Sequence, residues 1–191
     1  MGVSVFRDLP GVEASQIRRL RRAEYDALVR TGAFDGEPLE LIRGVIVRMS
    51  PQGLAHAAPI EVLTERLVLG LAGRARVRVQ LPILAPDESQ PEPDLAVVPK
   101  TSSPHETHPS EALLLIEVAS TSQKHDRETK APLYAEMGVP EYWLIDVEAR
   151  VVEVRRHPER GAYQTLESVR EGELGMLAFP DVRVDVSALF A

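Results

Sequence analysis

Residues 113–118, LLLIEV, constrain the fold of this chain more than any other stretch. The apolar run from Ala112 to Ile116 is unbroken, and Glu117 follows it at once. A strand that is apolar on both faces belongs in the middle of a sheet with cover on each side. Alternation then puts Glu117 on the same face as Leu113, Leu115 and Ala119. A carboxylate in that position loses its hydration, so it needs a partner, a metal ion or a raised pKa. The plain alternative is a strand-end salt bridge or a cap for the following helix.

The rest of the pattern supplies the layers around that strand. A helix is predicted over 23–29 with Gly32 closing it, while 18–22 fit helix and strand equally well. LELIRGVIVRMSP reads as two short strands around Gly44, with Pro51 ending the second. PIEVLTERLVLGLAG reads as an amphipathic helix, with Pro59 in its first turn, Ile60, Leu63, Leu67 and Leu71 as its stripe and Gly73 at its end. RARVRVQLPIL alternates strictly, which predicts a half-buried strand with an arginine ladder (Arg74, Arg76, Arg78) on its open face. Two polar, proline-containing loops, APDESQPEP and KTSSPHETHPS, flank the strand DLAVVP. After the charged group QKHDRETK come a helix, LYAEMG, stopped by Gly138, and the strands EYWLID and RVVEVRR. LLLIEV and EYWLID flank a helix and can run parallel, and the tail reads as antiparallel hairpins. The fold class expected is therefore mixed α/β, a sheet covered by helices. No boundary is visible, so 1–191 reads as one domain, with the helix and strands of 1–55 packing on the core.

Composition narrows the chemistry. There is no cysteine, which removes disulfides, thiolate nucleophiles and zinc–thiolate sites together. No run approaches the roughly 18 apolar residues of a membrane span. MGVSVFRDLPG lacks the layout of a secretory signal, and Phe6 stands where a myristoylation signal wants Ser or Thr, so the expected location is the cytoplasm. The formal net charge of −7 excludes bulk electrostatic coating of nucleic acid and leaves only a local basic face for it. Of the 22 basic residues 19 are Arg and 3 are Lys, yet two of those lysines, Lys124 and Lys130, follow Glu117 closely.

Asp94 occupies a place like that of Glu117, opening a short apolar strand after two prolines. It also suits a turn beside proline. Two acids at the ends of two core strands can share a divalent cation, since Mg²⁺ takes one or two protein carboxylates together with waters and a phosphate oxygen. Lys130 can stabilise developing charge or move a proton, which arginine does poorly. It can equally lie on a solvated helix face beside Asp126 and Glu128. Pro132 disturbs that helix, which must begin near Arg127 or Glu128 or else be kinked. His56 and His125 are single histidines near these segments that could line the site, although metal ligands usually come in clusters, and His105 and His108 lack the H-E-x-x-H frame of a zinc hydrolase. The arginine ladder can meet phosphates, but such residues more often face water and deter edge pairing.

PEPDLAVVP and the run LLIEVASTSQKHDRETKAPLYAEMGVPEYWLIDVEARVVEV together resemble the Uma-two family of restriction-endonuclease-like proteins, in the PD-(D/E)XK nuclease superfamily. The likeness continues upstream through ELIRGVIVRMSP and AHAAPIEVLTERL, so it covers most of the chain from about Ala23. It implies a restriction-endonuclease-like core, a central mixed sheet flanked by helices, with a metal-dependent site at the open end of its strands. Asp94 and Glu117 would then be the ligands of Mg²⁺ or Mn²⁺. The lysine two residues after the glutamate is replaced by Ala119, and the resemblance places its role on Lys130. Glu40 would match an assisting N-terminal acid, though it also suits an exposed strand. The expected function is hydrolysis of phosphodiester bonds in nucleic acid, DNA before RNA. The alternatives are a module on the same fold that binds nucleic acid or protein without cutting, and an oligomeric scaffold paired through its sheet edges. A homodimer is expected only because symmetric dimers are common, and no membrane partner is expected.

Overall fold

The computed structural model describes residues 13–50, 53–86, 88–101 and 107–191. The stretch before 13, Pro51, His105 and parts of the two polar loops lie outside the described residues. Helix α1, Arg22–Arg30, precedes the strands β1, Leu39–Ile42, and β2, Val45–Arg48. Before Arg22 the segment 18–21 is neither helix nor strand, and the Leu20 amide donates to the Gly44 carbonyl instead. β1 and β2 pair antiparallel as a two-stranded sheet of their own. Arg43 and Gly44 both have positive φ, 50° and 75°, the conformation that closes a two-residue hairpin with the natural twist.

Helix α2, Leu54–Leu71, begins five residues earlier than expected, so Pro59 lies inside it and not in its first turn. The chain then forms β3, Ala75–Val79, β4, Leu95–Pro99, and β5, Leu114–Ala119. α3, Gln123–His125, a π-helical segment, Asp126–Lys130, and α4, Ala131–Glu136, run on without interruption. β6, Glu141–Asp146, β7, Val151–Glu159, β8, Ala162–Val169, β9, Glu173–Gly175, and β10, Arg183–Asp185, complete the order.

Six strands form the central sheet in the order β3-β4-β5-β6-β7-β8. Only β5 and β6 run parallel, as the helix between them requires; every other pair in the sheet is antiparallel. β5 is buried at every residue. On one face Leu114, Ile116 and Val118 pack with Ile60, Leu63, Leu67 and Leu71 of α2 and with Val184 and Leu189 near the C-terminus. On the other, Leu115 and Ala119 pack with Leu133 and Tyr134 of α4, and Ile42 of the hairpin joins them. The sequence-based mixed α/β expectation holds, and the double cover explains the absence of polar residues before Glu117.

Pro132 is accommodated by neither of the two expected routes. The helix starts at Gln123 and widens by one residue, so that the Ala131 amide donates to the Asp126 carbonyl. Pro132 then falls at the start of α4, where its missing N–H costs little. This segment aims Lys130 inward.

A second polar group anchors the far end of β6. The fully buried Glu141 accepts from Arg156 Nε at 2.8 Å, Trp143 Nε1 at 3.0 Å and the Leu177 amide at 2.6 Å. Removing the carboxylate leaves three donors without an acceptor, one of them charged. Glu141→Ala is expected to lower the unfolding free energy by about 3–5 kcal/mol, read from urea denaturation. A loss well under 1 kcal/mol would contradict this account.

Candidate active site

The register of β4 on β5 decides where the two strand-end acids meet. Leu95 pairs with Ile116 and Ala96 with Leu115. Carried one residue further, the same register sets Asp94 across from Glu117. Both side chains therefore stand on the sheet face that carries the helix between β5 and β6. Asp94 Oδ2 accepts the Val118 amide at 2.8 Å, which ties it to the strand that bears Glu117. Its Oδ1 meets His56 Nε2, from the first turn of α2, at 3.0 Å and Gln80 Nε2 at 3.5 Å.

Lys130 reaches the acids from the π-helical segment. Its Nζ donates to Glu117 Oε1 at 3.0 Å and lies 3.2 Å from Glu40 Oε2 on β1. The Tyr134 hydroxyl donates to the same Glu117 oxygen at 2.6 Å. Glu40 also accepts the Glu92 amide at 3.2 Å, and its Oε1 stands 3.5 Å from His125 Nε2 without hydrogen-bond geometry. Glu40, Asp94, Glu117, Lys130, His56 and His125 all line one cavity of about 530 Å³.

Buried acids outnumber buried bases around this cavity. Lys130 is 5 % exposed, and the carboxylates Glu40, Asp94, Glu117 and Asp126 around it are 2 %, 7 %, 4 % and 2 % exposed. Burial drives the Glu117 pKa well above the ordinary carboxylate value, and the charges of Asp94, Asp126 and Glu40 add to the effect against the pull of Lys130. Burial alone would lower the Lys130 pKa, but Glu117, Glu40 and Asp126 outweigh it and raise the ammonium above its usual value. Burial pushes Glu40 up as well, and there the Lys130 charge and His125 win and hold it below the ordinary value. Burial and then the Glu40 charge lift Glu92, at the cavity edge, to about 6. The carboxylate neighbours of Lys130 thus favour its charged form.

Glu40, Asp94, Glu117 and Lys130, singled out in the sequence, are thus brought to one point, and Glu40 is buried where an exposed strand position was the alternative. Lys124 stands exposed at the rim, so of the two lysines Lys130 is the one in contact with Glu117. His56 and His125, single histidines near these segments, both face the cavity. Nothing in their sequence spacing announces this, because separate helices deliver them. Asp126 and Tyr134 were not singled out. Their signal was available in the four-residue steps from Asp126 to Lys130 to Tyr134, which share a helix face. Among the described residues no arginine is paired with Asp94 or Glu117.

The sequence profile described as "Uma2: Putative restriction endonuclease" matches residues 22–187, a range that takes in every one of these side chains. A crystal structure described as "a putative nuclease belonging to DUF820 from Anabaena variabilis ATCC 29413" is similar with a TM-score of 0.67. It shares 23% identity, and the likeness covers 80% of this chain and 89% of that chain, which establishes a common fold. No curated protein matches the sequence. With the profile spanning nearly the whole chain over a mixed sheet of the expected topology, the protein belongs to the Uma2 family of restriction-endonuclease-like proteins.

Proposed function

We propose that this protein is a divalent-metal-dependent nuclease that hydrolyses phosphodiester bonds of nucleic acid, with DNA as the expected substrate. The observation that carries the reading is the excess of buried acid over base at the cavity, with Asp94 and Glu117 set on neighbouring strands. Like charges so placed repel one another, and a cation between them relieves the repulsion.

The donor set fits such an ion. Both hydrogen bonds of Glu117 fall on Oε1, so among the described residues its Oε2 has no protein donor. Among those residues no three His, Asp or Glu side chains form a ready-made cage. Two carboxylates with room for water and phosphate suit a hard ion such as Mg²⁺ or Mn²⁺. Asp94 and Glu117 would hold it, and when bound it supplies positive charge against the phosphoryl oxygens and a nucleophilic water at neutral pH.

The chain's own residues do the positioning. The Val118 amide, His56 and Gln80 fix Asp94, and Tyr134 and Lys130 fix one oxygen of Glu117. Lys130, held by Glu40 from its other side, presents an ammonium against the negative charge that builds up on phosphate during attack. Its contacts with Glu117 and Glu40 favour the charged form, which suits Lys130 to stabilising charge.

Supercoiled plasmid, single-stranded DNA and RNA incubated with and without Mn²⁺ test this. Cleavage is expected only with metal and should fall roughly 100-fold or more in Asp94→Asn and Glu117→Gln. Calorimetry should show Mn²⁺ binding that those variants lose. Metal-independent cutting, or none on any substrate, sinks the proposal; Mn²⁺ and nucleic-acid binding without cleavage makes the protein a binding module instead. Lys130→Met leaves Glu40 and Glu117 facing each other unpaired, and should cost about 3–5 kcal/mol in urea unfolding without added metal.

A further inference from the structure

Gln90 is a buried polar side chain with no part in the site described above. It is 6 % exposed, yet among the described residues its carboxamide has no hydrogen-bond partner. Neither carboxamide atom is sealed from solvent, and the side chain lines a second cavity, of about 760 Å³. Its backbone is tied down. The Gln90 amide donates to the Leu41 carbonyl at 2.7 Å, and the Leu41 amide donates back at 3.4 Å. A carboxamide held in such a place loses water and gains no protein partner, which leaves its donors and acceptor for a ligand.

This cavity adjoins the candidate active site. Met49 and Glu92 border both, and Gln90, Glu92 and Asp94 follow one another at two-residue steps. The four steps from Gln90 to Asp94 span at most about 14 Å of chain. Part of the wall is apolar. Phe34 is half-buried, stacks on Tyr25 at 5.8 Å and borders the cavity, as do Leu39 and Leu84. The charged side chains of the wall are the acids Asp26, Asp35, Glu37 and Glu92 and the bases Arg22 and Arg30. Arg22 already donates to the Ala85 carbonyl at 2.6 Å. Acids outnumber arginines, so the cavity suits a neutral group better than a phosphate. A nucleobase is such a group. Its faces stack on rings, and its edge sets a donor beside an acceptor, as a carboxamide does.

We propose that this second cavity receives one unstacked base of the bound strand, from a nucleotide near the phosphate that is cut, and that the Gln90 carboxamide pairs with its edge. A base inside a duplex has its faces stacked and its edge paired, so the strand is unpaired at this point. The proposal rests on the nucleic-acid reading above, and the test separates the two. Fluorescein-labelled single strands of adenine, cytosine or thymine nucleotides, and an abasic strand of the same length, are compared by anisotropy, with Ca²⁺ present to hold cleavage off. The wild type should bind at least one base-bearing strand about tenfold more tightly than the abasic strand. Gln90→Leu should lose most of that margin and bind the abasic strand as the wild type does. No margin in the wild type, or one unchanged in Gln90→Leu, overturns the proposal.

Deoxyadenosine, deoxycytidine and thymidine, which carry no phosphate, are titrated against ¹⁵N-labelled wild-type protein as a second measurement. The Gln90 side-chain NH₂ resonances, assigned by their loss in Gln90→Leu, should shift saturably with at least one of them. If no strand binds at all, the nuclease reading fails, and this titration alone decides the pocket: a saturable shift upholds it and no shift with any nucleoside overturns it.

Discussion

One buried ammonium joins the central sheet of this protein to the β1–β2 hairpin. Lys130 touches Glu117 on β5 of the central sheet and Glu40 on β1 of the separate hairpin. Taking such groups out of water costs several kcal/mol per ion, and the attraction between them returns this only with good geometry. Replacing a buried ion pair by apolar residues of similar volume is often neutral or stabilising. The ion pair is therefore weak evidence of a contribution to stability.

The geometry depends on an irregular piece of helix. A regular α-helix through 123–136 would place Pro132 in its interior, at a cost of about 3 kcal/mol or more. The π-helical segment removes that conflict and turns Asp126 and Lys130 inward, both buried, above a sheet that supplies Glu117. Tyr134, one turn on, donates to the same carboxylate oxygen as Lys130. A departure from ideal backbone here coincides with the cavity, as such departures often do.

Much of the frame was legible. The central position of β5, the parallel partnership of β5 and β6 and the hairpins of the tail follow from apolar runs, from alternation and from the helix between the two strands. The start of α2 was not legible, because Pro59 imitates a first turn and the segment before it, AHAA, carries no stripe. His56 and His125 were only weak candidates, for another reason. A single histidine has no periodic pattern, and its surroundings come from strands distant in the sequence.

The sequence by itself determined which residues could not tolerate water and which acids stood at the ends of those apolar runs. Local periodicity records burial, so Glu117 and Asp94 stood out. Only the tertiary structure decided that the two face each other, since a register shift of one residue would have sent one of them to the opposite face. It also decided the protonation tendencies of Lys130 and Glu117. Those properties depend on which charges share a poorly hydrated space, and chain order does not encode distance.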